Sequence, residues 1–176
     1  MKKHLFPLVL IVSFSLSLFS FAKANSSRMI ANVKDSSSIA DSTTIQTSLS
    51  EKVFNDLHLQ QAGLSEQTVD DAVKGYEKLV DSGMVERSQY LTIVDLSQSS
   101  RNKRFYILDM KNDSLVLNTY VAHGKNSGVD MAKSFSNSLN SNKSSLGFYL
   151  TKSTYTGKHG LSLRIDGLEN GFNNNA

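Results

Sequence analysis

The chain has 176 residues, 39% hydrophobic and 20% charged, a length and balance that suit one globular domain with a small appendage rather than a disordered or fibrous chain. Its formal charge of +3 comes from Lys2, Lys3 and Lys23; the residues after position 24 carry 16 Lys+Arg against 16 Asp+Glu, which leaves no overall bias toward an anionic partner. With no cysteine, the chain has no disulfide, no thiolate metal site, no lipid-anchor cysteine and no thiol nucleophile.

Residues 1–24 read as an export leader. Lys2 and Lys3 form a positive start, Leu5 to Ala22 is uncharged and mostly apolar, and Ala22-Lys23-Ala24 has the small-x-small cleavage form. A retained membrane anchor is the alternative, but Pro7 and several serines dilute a span that is already short for a bilayer. Cleavage after Ala24 is therefore expected, with no stable membrane span left afterwards. Residues 25–47 are rich in Ser, Thr, Asn and Asp and bury too little apolar surface to offset their ordering entropy, so a flexible arm is predicted.

A helical pair is predicted over residues 48–84. Ser48 and Glu51 have capping-box spacing, and Leu49, Val53 and Leu57 recur every four residues until Gly63 offers a stop. In the second helix Ser65 is the cap, Val69, Ala72, Val73, Tyr76, Leu79 and Val80 form one face, and Gly83 ends it. Gly75 inside this helix costs about 1 kcal/mol relative to alanine. His58 reads as a surface or boundary histidine.

From Tyr90 the apolar period changes to two. Tyr90–Leu96, Arg104–Met110 and Ser114–Val121 read as strands, with Lys111-Asn112-Asp113 as a hairpin turn between the last two. Asp95 and Asp109 end apolar strands; a paired-carboxylate site is conceivable there, but turn formation is the simpler reading. A strand near Gly147–Lys152 and a final alternation, Leu161, Leu163 and Ile165 against Ser162, Arg164 and Asp166, complete the pattern. The class is β-dominated α+β, a mostly antiparallel sheet preceded by two short helices, with residues 85–176 as its main unit.

The long stretch from Val121 to Leu150 is less generic. About twenty residues of Ser, Asn, Lys and Gly separate two strands, yet Met131, Phe135 and Leu139 are spaced through them. An ordered loop lining a site is expected. His123, Ser127, Ser145, Tyr155, His159 and Arg164 lie on loops or strand ends, where binding residues concentrate. His123 either holds the loop by hydrogen bonds or touches substrate. Gly124, Gly128 and Gly147 suit backbone conformations with positive φ. Arg164 suits a bidentate grip on a carboxylate, although an ion pair with Asp166 or Glu169 is the plainer assignment.

Other chemistries fail on spacing. There is no G-x-S-x-G elbow, so serine catalysis lacks that setting. His123 and His159 are too far apart, with no paired ligand on one element, for a zinc site. Gly124-Lys125 and Gly157-Lys158 lack the earlier glycine of a phosphate-binding loop. Residues 101–176 carry 10 basic and 5 acidic groups, too dispersed to argue for nucleic acid. No cofactor is expected.

Taken in order, VAHGKNSG from Val121, FSN from Phe135, SSLGFY from Ser144, GKHG from Gly157 and the GL-E-GFN ending resemble the murein L,D-transpeptidase catalytic-domain family. The likeness runs from about Leu49 to Ala176. It implies a fold of the L,D-transpeptidase type and a partner in peptidoglycan stem peptides, met on the substrate side by His123, Gly124, Ser145, Gly147, Tyr155, His159 and Arg164. In that family a cysteine thiolate attacks the stem peptide, a histidine acts as base, and backbone amides hold the oxyanion. The cysteine and its histidine belong to a later His-Gly strand and S-x-G-C-P segment that is not in this sequence, and His123 precedes that segment. The resemblance thus implies an exported, truncated and inactive relative, with no catalytic residue to assign. The alternatives are a non-catalytic peptidoglycan-binding domain and a gene fragment without function.

Overall fold

The computed structural model describes residues 9–13, 47–85, 88–158 and 160–175. Most of the expected leader and arm therefore lies outside the described residues, as does His159. Among those described, six strands and two helices form a β-dominated α+β fold: β1 Val9–Ser13, α1 Leu49–Asp56, α2 Glu66–Asp81, β2 Tyr90–Asp95, β3 Phe105–Asp109, β4 Ser114–Thr119, β5 Gly147–Gly157 and β6 Gly160–Gly167.

The helices start where their caps place them. Ser48 Oγ accepts from Glu51 N at 3.2 Å, and Ser65 Oγ accepts from Thr68 N at 3.2 Å, each satisfying an amide that the first helical turn leaves unpaired. The first helix ends at Asp56, earlier than the expected stop at Gly63, because Leu57 caps it and exposed His58 turns the chain with φ of 51°. Along α2, Val69, Ala72, Val73 and Leu79 are buried, with Tyr76 and Val80 packed at their margin. Each full-sized aliphatic side chain buried this way contributes about 1.5–3 kcal/mol, ample to offset one helical glycine.

Gly75 has a further reason to be glycine. The ring of Phe148 on β5 lies against the helix backbone at that position, so that any Cβ would overlap Cε1 and Cζ. The missing side chain lets α2 and the sheet approach each other.

The sheet order is β4-β3-β2-β1-β5-β6. β4-β3-β2 and β5-β6 are two antiparallel groups, and β1 joins them, parallel to β2 and antiparallel to β5. The middle of the expected leader is thus a central strand. The β3–β4 hairpin turns as expected at Lys111–Asp113, and Asp113 takes φ of 45° there. Beyond the expected end at Lys152, β5 continues to Gly157, with a bulge between Thr151 and Thr154. The extended β5–β6 hairpin leaves Leu161 and Leu163 exposed.

Two apolar clusters flank the sheet. Leu91 and Ile93 of β2 and Tyr106 and Leu108 of β3 pack with the helices. On the opposite face Val94, Leu96 and Ala132 pack with Phe105, Val121, Phe135 and Leu146. The long loop therefore covers the sheet face that the helices leave bare. Ala132 and Phe135 do that packing, whereas Met131 and Leu139 are exposed.

Candidate functional site

The loop between β4 and β5 is held by its own polar groups rather than by regular structure. Asn126 N donates to Asn142 O at 2.9 Å and Ser136 N to Ser144 O at 3.1 Å, so the outgoing and returning limbs are bonded to each other. Buried Ser127 anchors the crossing, its Oγ accepting from Ser144 N at 2.8 Å. Gly124 N donates to Ser144 Oγ at 2.9 Å. A Cβ on Gly124 would meet the backbone of Asn142 to Ser144 within 2.7 Å. Close approach of the two limbs, not a positive φ, accounts for that glycine.

Arg104 fastens the start of the loop to the sheet. Although it sits just before β3, its side chain is fully buried. Nε and Nη2 donate to Val121 O at 3.2 and 3.1 Å, and Nη1 donates to Gln98 O at 2.8 Å. Nη2 also lies 2.7 Å from His123 Nδ1. A guanidinium only donates, so Nδ1 is the accepting nitrogen and His123 carries its proton on Nε2. Burial works against the guanidinium charge and draws its pKa down, while the nearby Asp95 carboxylate partly restores it.

The two strand-end aspartates form turns, as the simpler reading expects. Asp95 accepts from Ser97 N at 3.0 Å and Gln98 Nε2 at 2.9 Å. Asp109 accepts from Lys111 N and Asn112 N, both at 3.0 Å, from Asn112 Nδ2 at 2.8 Å and from Gln89 Nε2 at 3.0 Å. Burial alone would raise the pKa of Asp109; these bonds outweigh it and hold the carboxyl below its usual range.

A cleft of about 500 Å³ opens between the loop and the sheet. Its floor includes Val94, Leu96, Val121 and Tyr149, and its wall is the polar run Ser136–Ser145. Lys143 is the only charged side chain among the described lining residues. Ser145 and Tyr149 share a buried hydrogen bond of 2.7 Å, and Tyr149 also donates to Ser145 O at 3.1 Å. Burial raises the Tyr149 pKa, so the phenol stays protonated. Volume and mixed lining suit a small peptide or similar ligand.

The expected site residues separate into groups. His123, Gly124 and Ser145 lie together where the loop leaves and rejoins the sheet. Gly147 has φ of 112°, as expected, and sits against the Glu169 carboxylate and Asn173. Tyr155 and Arg164 meet on the projecting hairpin instead, with the guanidinium carbon 4.8 Å from the ring centre. The partners foreseen for Arg164 are engaged elsewhere: Asp166 pairs with Lys152 at 3.3 Å, and Glu169 accepts from Phe148 N at 2.9 Å.

Three residues carry weight that the sequence did not flag: Arg104, Tyr149 and Asn173. Asn173 is fully buried, donating to Phe148 O at 3.0 Å and accepting from Glu169 N at 2.8 Å. Through Asn137, which donates to Asn174 Oδ1 at 3.0 Å, the last described residues also brace the cleft wall. A buried Arg or Asn looks like any surface one in a single sequence, so no local signal set these residues apart.

Among the described residues no helix is long and apolar enough to cross a membrane, and no cluster of three or more His, Cys, Asp or Glu is placed to hold a metal. A family model described as the L,D-transpeptidase catalytic domain matches residues 60–176. No curated protein and no solved structure matches the chain.

Proposed function

The chain belongs to the L,D-transpeptidase catalytic-domain family, and on that footing we propose that it binds peptidoglycan stem peptides without catalysing their transfer. The ligand would lie in the cleft between the Ser136–Ser145 wall and the floor at Val94, Val121 and Tyr149. Serine and asparagine groups there suit peptide amides, and Lys143 suits a stem-peptide carboxylate. Action at the cell envelope, after export, follows from such a substrate.

The observation that carries the non-catalytic part is chemical. No thiol exists in the 176 residues, and the groups near the cleft are engaged in bonds that do not activate a nucleophile. His123 Nδ1 faces a guanidinium, not a hydroxyl. Ser145 Oγ faces the Tyr149 phenol, which burial keeps protonated and which therefore does not draw off the serine proton.

Incubation with a disaccharide-tetrapeptide, followed by amide-resolved NMR and by intact-mass measurement, tests both halves. Expected are saturable shifts at Ala122, Lys143, Ser144, Ser145 and Tyr149, with no covalent adduct from the tetrapeptide or from a carbapenem. An absence of shifts at these positions removes the binding reading. A stoichiometric adduct on any serine removes the non-catalytic one.

A further inference from the structure

β2 and β5 are joined only through β1 in the strand order. Val9 lies opposite Leu91 and Ile11 opposite Ile93 on the parallel side, while Val9 lies opposite Leu150 and Ile11 opposite Phe148 on the antiparallel side. Neighbouring strands are about 4.8 Å apart, so the gap that β1 fills is about twice that and too wide for β2 and β5 to bond across. Without an occupant, both facing edges would carry unpaired N–H and C=O groups between buried side chains.

The rows beside the gap define what fits it. Positions 9 and 11 are flanked by Leu91, Leu150, Ile93 and Phe148, all in the helix-side cluster. Positions 10 and 12 are flanked by Thr92, Tyr149 and Val94, buried on the other face. A strand with buried neighbours on both faces reads as a continuous aliphatic run, and Val9-Leu10-Ile11-Val12 is such a run. α2 crosses over β1 and β2 on one face. Val94 and Tyr149 belong to the cleft floor on the other.

The same five residues thus have two incompatible uses, as the apolar middle of an export leader and as the strand that joins the two halves of the sheet. We propose that the gap between β2 and β5 is a strand-acceptor site of fixed register, selective for a short aliphatic strand running parallel to β2, and that Val9–Ser13 is its detachable occupant. In the uncut chain the leader completes the sheet and the floor beside the cleft. Cleavage after Ala24 leaves that strand held only by its ladder bonds, so it exchanges with any free copy of the same sequence. This does not depend on what the cleft binds.

The test uses the full 176-residue chain, produced without export so that the leader is retained. Because the chain has no cysteine, a Val9→Cys and Leu150→Cys pair gives an unambiguous cross-link. Mild oxidation is expected to close it within one molecule, while Ser13→Cys with Leu150→Cys, four positions out of register, closes about tenfold more slowly or not at all. Equal yields from both pairs overturn the register.

Hydrogen exchange gives a second measure. In the Ile11→Pro chain the amides of Leu91–Asp95 and Gly147–Leu150 are expected to exchange about tenfold faster or more, with the β3–β4 hairpin unchanged. A synthetic peptide of residues 5–16 restores their protection, and the same peptide carrying Ile11→Pro does not. Unchanged exchange in the Ile11→Pro chain, or no restoration by the peptide, overturns the acceptor site.

Discussion

Arg104 Nη2 lies 2.7 Å from His123 Nδ1, and the same guanidinium holds Val121 O and Gln98 O. One buried cation thereby joins the β2–β3 turn, the end of β4 and the first residues of the cleft loop. Its Coulomb partner Asp95 is occupied with turn amides and makes no direct ion pair with it. The cation is held by carbonyl and ring acceptors instead, and removing it strands all three.

Arg104→Met is therefore expected to destabilise the chain by about 3 kcal/mol or more, read as a fall in the denaturant midpoint. Arg104→Lys recovers only part of this, since an ammonium cannot reach Val121 O twice and His123 at once. His123→Ala removes a single acceptor and costs about 1 kcal/mol. Imidazole nitrogen shifts in the unmutated protein should show a protonated Nε2 and a bare Nδ1; the opposite tautomer contradicts the arrangement.

Gly75→Ala reverses the usual sign. In an exposed helix it stabilises by about 1 kcal/mol, but here the new methyl overlaps the Phe148 ring and the helix must lift, a net loss of about 1–3 kcal/mol. Phe148→Leu makes room for the methyl, so the double variant should be more stable than the sum of the single changes predicts. Thermal midpoints of the four proteins decide it.

Thr92 is fully buried on β2, and its Oγ1 has no hydrogen-bond partner among the described residues. Thr92→Val keeps the shape and deletes the stranded hydroxyl. The expected gain is about 1 kcal/mol, a rise of a few degrees in the melting midpoint. A fall of similar size would mean that the hydroxyl has a partner after all.

Asp109 links stability to acid. Its folded pKa lies below the unfolded value, because four hydrogen bonds outweigh the opposing effect of burial. The stability it supplies is fully present above the unfolded pKa of about 4 and is lost as pH falls through the lower, folded value. Asp109→Asn should be less stable than the parent at pH 6, and the gap should narrow as pH falls below the unfolded pKa and through the folded one. Urea midpoints across that range measure the gap; a constant gap denies the linkage.

The sequence alone determined what depends on neighbours in the chain. Ser48 and Ser65 start their helices because a cap needs only an oxygen three residues before an amide. The α2 face and the β2–β4 strands follow from periods of 3.6 and 2, and the hairpin at Lys111–Asp113 follows from its turn residues. The ordered motifs from Val121 onward likewise carried the family resemblance that the match over residues 60–176 shows. Tertiary structure decided the rest. Whether Arg104 is on the surface or at the centre of the cleft's support depends on carbonyls 6 and 17 residues away along the chain. Whether Gly75 weakens its helix or admits Phe148 depends on a strand more than seventy positions later. Val9–Ser13 has the composition both of a leader and of a buried strand, and composition does not separate them; the two facing edges of β2 and β5, brought together only by folding, do.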